Sequence, residues 1–175
     1  YYRSALMVTG IKPNRAHYAL AKLERALRLT AVVTQNIDGL HQLAGSRNVY
    51  ELHGSIYRNH CMECGKSYTV EQLKDMPNVP ICSCGGVIKP DVVLYEEGLD
   101  ADTLRAAITH ITRADMLIVG GTSLNVYPAS GLIDYYKGNK LALINKSETP
   151  YDYRADLIIN DSIGMALDKA TEGLE

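Results

Sequence analysis

The chain has 175 residues, a formal net charge of −2 and a hydrophobic content of 46%. These values fit one globular domain with a small insertion. The near-neutral charge argues against nucleic acid as the main partner, and apolar runs such as residues 116–119 and 141–144 are too short to span a membrane.

The first predicted element is a helix over residues 14–29. Asn14 is a suitable N-cap, and apolar residues follow it at helical spacing, namely Ala16, Ala19, Leu20, Leu23 and Leu27. The short, β-branched run 31–34 predicts a buried strand. Residues 40–44 then predict a short helix that ends at Gly45.

Residues 57–90 differ in composition from the rest of the chain. They contain all four cysteines, three of the six prolines and several glycines of the kind found in turns. We therefore expect an inserted small module at 57–90, with the main domain formed by residues 1–56 and 91–175.

The second half of the chain predicts strands alternating with helices. Strands are expected at residues 92–95, 116–119, 141–144 and 157–159, the last two buried, and helices at 101–112 and 128–136. This alternation predicts an α/β fold with a parallel, doubly wound sheet.

The four cysteines form two close pairs that predict a zinc site. Cys61-x-x-Cys64 is followed, after seventeen residues, by Cys82-x-Cys84. Four thiolates fill a tetrahedral coordination sphere, so the ion would be structural. Four ordinary buried thiols are the alternative, and His60 is a possible substitute ligand. The clustering favours a reducing, cytoplasmic location.

A polar cluster at residues 34–41 follows the first predicted strand. Ligands bind at the carboxyl ends of strands in open α/β sheets. The side chains of Gln35, Asn36 and Asp38 can hold sugar hydroxyls or an amide group. Turn and cap chemistry by Asn and Asp explains the same residues equally well.

Weaker signals lie elsewhere along the chain. The run Gly120-Gly121-Thr122-Ser123 follows a predicted strand, and glycines let a backbone approach phosphate closely. Asn145 follows the strand 141–144 and suits a ribose, although a turn or cap role is commoner. His53 can act as a general base near neutral pH, although a lone histidine is more often structural.

In combination, these segments resemble the sirtuin family. The matching motifs appear in sirtuin order: Thr34-Gln35-Asn36-Ile37-Asp38-Gly39-Leu40-His41, Glu51-Leu52-His53-Gly54, the paired cysteines, Lys89-Pro90-Asp91-Val92-Val93, Gly121-Thr122-Ser123-Leu124 and Ile144-Asn145. The resemblance implies a Rossmann-type domain with a small zinc module, and NAD-dependent removal of acyl groups from protein lysines. The products would be nicotinamide, O-acyl-ADP-ribose and free lysine.

The resemblance also implies roles in binding NAD. Gln35 and Asn36 would contact the nicotinamide ribose, and Asn36 would help to organise the reacting centre. Ile37 and Asp38 would hold the nicotinamide. The loop at Gly121, Thr122 and Ser123 would contact phosphate and ribose, and Asn145 would contact the adenosine ribose.

Catalysis and substrate binding are assigned in the same way. By resemblance His53 is the general base that takes a proton from a ribose hydroxyl. Val92 and Val93 would line the tunnel for the acyl-lysine, and residues 95–98 would pair with the peptide backbone. Tyr95 stands where many relatives carry Phe, and Glu96 where many carry Gly.

The sequence departs from the family pattern at its start. Sirtuins begin with a strand and a Gly-Ala-Gly-x-Ser loop, and neither is found here. We therefore expect an incomplete parallel sheet without its first strand, and an active full-length protein of which these 175 residues alone are inactive. Two rival functions remain open: ADP-ribosyl transfer in the same pocket, and a non-catalytic, zinc-stapled peptide-binding module.

Overall fold

The computed structural model describes residues 10–174, and residues 1–9 of the first predicted domain lie outside them. The α-helices of the described part are α1 (Arg15–Arg25), α2 (Leu40–Leu43), α3 (Val70–Lys74), α4 (Ala101–Arg113) and α5 (Ile163–Ala170). Its strands are β1 (Val32–Thr34), β2 (Val49–Glu51), β3 (Gly54–Cys61), β4 (Ser67–Tyr68), β5 (Ile88–Val92), β6 (Leu117–Gly120), β7 (Leu141–Ile144) and β8 (Leu157–Ile159). Two 3₁₀ helices span Ala129–Tyr135 and Asp152–Arg154.

These elements form two compact units that interleave along the chain. The first unit contains the described residues 10–12, Thr34–Gly39 and Glu51–Leu99. The second contains Pro13–Val33, Leu40–Tyr50 and residues 100–174. None of the helices between residues 10 and 174 has the length and apolar character needed to cross a bilayer.

The second unit is built on a three-stranded parallel sheet of order β6-β7-β8. β7 is central and wholly buried, as expected for a short apolar run in a parallel sheet. Ile144 of β7 packs with Ala16 and Ala19 of α1 and with Leu167 of α5. The expected α/β fold with a parallel sheet is thereby confirmed.

The first unit is built on an antiparallel sheet of order β4-β3-β5. Its core contains two of the cysteines together with aliphatic and aromatic neighbours, namely Cys61, Tyr68, Leu73, Cys82 and Ile88. β3 crosses residue 57 and β5 crosses residue 90, so both predicted module boundaries fall within paired strands.

β1 and β2 form a separate two-stranded sheet whose ends carry the polar loops. Val32 N donates to Asn48 O, and Leu52 N donates to Thr34 O, at 2.9 Å each. Because both strands advance in the same direction between these two bonds, they are parallel. The residues after β1 and those after β2 therefore leave the sheet at the same edge.

Three predicted elements need correction. The helix predicted at 14–29 ends at Arg25, because Leu27 takes a positive φ of 56°. The strand predicted at 92–95 lies at Ile88–Val92 instead, as an edge strand in which Pro90 is tolerated. The segment predicted as a helix at 128–136 is a 3₁₀ helix, Ala129–Tyr135.

The last strand was predicted at its observed position, but its burial was predicted wrongly. Leu157–Ile159 was expected to be buried, yet the side chains of Leu157 and Ile158 are exposed in the structure. β8 pairs with β7 alone within the described sheet, so it is an edge strand. Periodicity cannot distinguish a buried apolar strand from an apolar edge strand.

Candidate active site and metal centre

The four cysteine sulfurs form one compact cluster. Cys61 Sγ lies 3.5 Å from Cys84 Sγ, and Cys64 Sγ lies 3.7 Å from Cys82 Sγ. All four sulfurs lie within 4.8 Å of one another. A tetrahedral zinc ion with Zn–S bonds of about 2.3 Å requires sulfur–sulfur separations of about 3.8 Å. The cluster therefore has the composition and the approximate size of a zinc site.

Backbone turns hold each cysteine pair. Gly65 N donates to Cys61 O at 3.0 Å, and Gly85 N donates to Cys82 O at 2.9 Å. Both glycines have positive φ, 70° and 91°, which non-glycine residues rarely adopt. Each pair thus sits on a tight turn, and the expected structural zinc site is supported by the geometry. Within the described residues the cluster consists of these cysteines and leaves out His60.

Hydrogen bonds stabilise negative charge on two of the four sulfurs. Hydrogen bonds from the Cys84 backbone N–H and then from the Tyr68 hydroxyl, whose oxygen lies 3.0 Å from Cys82 Sγ, lower the pKa of Cys82 to about 6. Backbone N–H groups of Cys64 and Glu63 lower the pKa of Cys61. On a third sulfur, that of Cys84, the Gly86 backbone N–H acts to lower the pKa, but contacts with Cys61, Cys64 and Cys82 outweigh it and raise that pKa to about 12. Thiolates are the form that zinc binds, so the donors to Cys61 and Cys82 favour metal binding near neutral pH.

His53 lies in the tight turn between β2 and β3. Its Nδ1 lies 2.9 Å from the backbone carbonyl oxygen of Gln35. A carbonyl can only accept, so Nδ1 carries the proton in this contact and Nε2 is left as the basic nitrogen. Gly54 completes the turn with a φ of 77°.

The polar loop that follows β1 lies against this turn. Asn36 N donates to Thr34 Oγ1 at 3.1 Å, and Ile56 N donates to Ile37 O at 3.2 Å. The side chain of Asn36 is exposed, and Asp38 is half-buried. The structure thus brings residues 35–38 and His53 together within the first unit, at the edge where β1 ends.

The residues expected to bind substrate follow from β5 in the same unit. Val92 is buried and pairs with Gly54, and Val93 N donates to His53 O at 3.0 Å. Tyr95 is fully exposed. The chain turns at Tyr95 and Glu96, and Glu96 has a φ of 70°. Val92 and Val93 therefore adjoin the histidine, whereas the Tyr95 side chain projects into solvent.

The other predicted cofactor residues lie together in the second unit. Gly121 follows β6 and Asn145 follows β7, and these are adjacent parallel strands. Gly121 N donates to Ile144 O at 3.1 Å, and Gly121 has a φ of 64°. Ser123 is exposed, and Thr122 Oγ1 accepts from Leu124 N at 3.2 Å. A glycine turn beside an amide at the ends of parallel strands is a suitable nucleotide-binding edge.

Sequence reasoning missed one charged group near the histidine turn. Arg58 donates to Glu51 at 2.7 Å and to Asp91 at 2.9 Å. Partial burial acts to lower the pKa of Arg58, but hydrogen bonds to Asp91 and Glu51 outweigh it and raise that pKa. No spacing in the sequence connects these three positions. Only the fold brings them together, through the irregular pairing of β3 with β5.

The chain is similar to known proteins over nearly its whole length. The profile of the Sir2 family matches residues 1–128. The NAD-dependent protein deacetylase of Clostridium acetobutylicum is 62% identical over 170 residues, which cover 96% of this chain and 69% of that protein.

Two similar solved structures contain ligands. A Sir2 protein with a p53 peptide and NAD+ is 42% identical, with a TM-score of 0.89. The match covers 98% of this chain and 75% of that one. A second Sir2 structure contains the inhibitor EX-527, 2'-O-acetyl-ADP-ribose and a deacetylated p53 peptide. It is 45% identical, with a TM-score of 0.86 over 92% of this chain and 71% of that one.

Proposed function

The chain belongs to the Sir2 family, and we propose that the full-length protein removes acetyl and related acyl groups from protein lysines with NAD as co-substrate. The observation that carries the proposal is the histidine whose Nδ1 proton is directed to the Gln35 carbonyl beside the polar loop 35–38. This arrangement places the ring proton on Nδ1, so Nε2 carries no proton and can act as a base.

Two sets of residues fit NAD. One is the loop with Gln35, Asn36, Ile37 and Asp38, which would hold the nicotinamide and its ribose. The other is Gly121, Thr122 and Ser123 with Asn145, which would hold phosphate and the adenosine ribose. The turn made by Gly121, with its positive φ, and the exposure of Ser123 support that second assignment, because the Ser123 hydroxyl is accessible there. When bound, NAD supplies an ADP-ribosyl group that accepts the acyl group, with nicotinamide as the leaving group.

The protein positions the reactants and supplies the base. His53 takes a proton from a ribose hydroxyl at Nε2, while the Gln35 carbonyl holds Nδ1–H and so fixes the ring orientation. The Asn36 amide orients the reacting centre. The zinc ion, held by Cys61, Cys64, Cys82 and Cys84, keeps the small module folded and takes no part in the chemistry.

Acyl-lysine binding is assigned to the strand that adjoins the base. We assign Val92 and Val93 to the acyl-lysine tunnel, and the pairing of their backbone with the His53 turn supports this assignment. The segment at Tyr95 to Gly98 binds the peptide backbone as an added strand, and Tyr95 contacts the substrate there. The complete exposure of Tyr95 supports this role.

Location and domain organisation are part of the proposal. Four thiols that bind zinc need a reducing compartment, which supports a cytoplasmic location. We assign residues 57–90 to the zinc-binding module, and residues 1–56 and 91–175 to the NAD-binding domain. The concentration of all four cysteines within 57–90 supports that division.

Product analysis tests the function directly. The full-length protein is incubated with NAD and an acetyl-lysine peptide, and the products are separated by mass spectrometry. We expect deacetylated peptide, nicotinamide and O-acetyl-ADP-ribose in equal amounts. ADP-ribose attached to protein without deacetylation would indicate a transferase instead. Peptide binding that is independent of NAD, with no turnover, would indicate a binding module.

A further inference from the structure

A large β-bulge separates the histidine turn from the zinc cluster. In the pairing of β3 with β5, Ser55 lies opposite Asp91, yet Asn59 lies opposite Pro90. Residues 56–58 are therefore extra in β3, and the strand bends there. Bulges next to active sites commonly redirect side chains.

Arg58, within the bulge, makes two ion pairs. Its Nη1 donates to Glu51 Oε2 at 2.7 Å, and its Nε donates to Asp91 Oδ2 at 2.9 Å. The Glu51 side chain is only 6% exposed, whereas those of Asp91 and Arg58 are about half exposed. A buried carboxylate needs a cation or strong donors to remain charged, and Arg58 provides both.

The two carboxylates flank the histidine turn on both sides. Glu51 ends β2, two residues before His53. Asp91 stands in β5 next to Val92, which pairs with Gly54, and the following Val93 bonds to His53 O. One guanidinium thus joins the segment before the base to the strand beside it. Neither carboxylate is among the residues assigned to bind NAD or substrate.

We infer that Arg58 is a positioning residue for His53, which it orients by fastening Glu51 and Asp91 on either side of the histidine turn. The inference rests on the proposed function. Loss of the guanidinium leaves the buried Glu51 carboxylate without its cation, so the end of β2 shifts and carries the imidazole away from the Gln35 carbonyl.

The test compares two partial reactions of the full-length protein. In the proposed reaction nicotinamide leaves before His53 takes the ribose proton. Exchange of free nicotinamide into NAD therefore does not require the base, whereas deacetylation does. Arg58→Ala is expected to lower kcat for deacetylation about 10- to 100-fold and nicotinamide exchange much less, with KM for the peptide changed less than threefold. A merely structural role would lower both reactions by the same factor, through the loss of folded enzyme.

A second substitution examines the cause. Glu51→Gln introduced into the Arg58→Ala protein removes the unpaired buried charge, so we expect part of the lost deacetylation to return. Arg58→Lys is expected to retain part of the activity as well, since an ammonium can bind one carboxylate but cannot bridge both. Arg105→Ala is the matched control, because Arg105 pairs with Asp102 at 2.7 Å on the exposed face of α4.

The outcomes separate the two proposals. Equal losses of exchange and deacetylation, or kcat within twofold of the wild type, would overturn the role of Arg58 while the deacylase function stands. If the wild-type protein does not deacetylate the peptide, both proposals fail. Where Arg58→Ala does not fold, Arg58→Gln keeps the length of the side chain without its charge and gives the same comparison.

Discussion

At the scale of single residues, the orientation of His53 depends on backbone atoms. Its Nδ1 contacts the main-chain carbonyl of Gln35. A substitution of the Gln35 side chain therefore leaves this hydrogen bond in place, so the tautomer is fixed by the path of the loop after β1. The loop itself is fixed by the bond from Ile56 N to Ile37 O. The tautomer of His53 thus depends on backbone contacts, whereas Arg58 acts on the position of the turn that carries the ring.

Replacing the base provides the first prediction. His53→Ala is expected to lower kcat for deacetylation by about 10²- to 10⁴-fold, the usual contribution of general base catalysis. Zinc content and thermal stability should change little, because the His53 side chain lies in a half-buried turn remote from the four ligands in sequence. Steady-state kinetics and metal analysis provide the measurements.

His60→Gln is the matched control for that substitution. His60 lies in β3, half-buried, and stands outside the four-cysteine cluster. The His60→Gln protein should keep wild-type turnover and a full complement of zinc. Wild-type turnover by the His53→Ala protein would refute the assignment of the base.

Gly54 provides a second prediction at this scale. A Cβ at Gly54 would lie 1.9 Å from the backbone oxygen of Asp91, and the residue has a φ of 77°. Gly54→Ala should therefore lower the free energy of unfolding by roughly 3 kcal/mol or more, since the clash involves backbone and strain adds to it. Urea denaturation measures the loss. Gly98→Ala is the control, because a Cβ at Gly98 meets no atom within 4 Å; equal stability of the two variants would contradict the prediction.

The sequence was informative about residues within motifs and uninformative about those between them. His53 and the four cysteines could be identified because their chemistry requires particular side chains. Arg58 could not, because its importance comes from a bulge that brings Glu51 and Asp91 within its reach. A bulge of this kind has no signature in hydrophobic periodicity.

At the scale of elements, short strands and a short helix of the first unit pack around the cysteines. One buried cluster there contains Tyr68, Leu73 and Ile88 together with two of the expected zinc ligands, Cys61 and Cys82. β4 has two residues and α3 has five, so neither is stable alone. Metal binding is expected to supply much of the free energy that holds these short elements together.

A cysteine substitution tests that dependence. Cys61→Ser is expected to reduce bound zinc to well below one ion per chain and to expose residues 62–87 to proteolysis, because three thiolates bind zinc less tightly than four. Zinc content and limited proteolysis are the measurements. Met62→Ser changes an exposed neighbour and should retain the ion. Stoichiometric zinc in the Cys61→Ser protein would exclude Cys61 as a required ligand.

An element was predicted with correct bounds where it consists of one continuous, buried apolar run. β7 at Leu141–Ile144 was predicted with its observed bounds. β5 was displaced from the predicted 92–95 because antiparallel pairing with β3 extends back through Lys89 and Pro90, residues that carry no strand signal. β2, β3, β4, α3 and α5 were not predicted at all, since strands and helices this short or mixed in polarity give weak periodicity.

At the scale of the whole molecule, the described residues 10–174 include two buried clusters of different composition, one in each unit. The core of the second unit joins α1 and α5 to β7 through aliphatic side chains. The core of the first unit contains two metal ligands. One core should therefore depend on zinc and the other should not, although both belong to one chain whose segments alternate between the units.

Hydrogen exchange after zinc removal tests this division. We expect a chelator to increase amide exchange in residues 54–92, because the bonds of β3, β4 and β5 lose the cluster that fixes one end of their sheet. Exchange in β7 should stay slow, since that strand is wholly buried between two parallel neighbours. Mass spectrometry of peptides from both regions, with and without added zinc, provides the comparison. Equal loss of protection in β7 would show that the chain unfolds as one cooperative unit, and re-addition of zinc should restore protection in 54–92 if the effect comes from the metal.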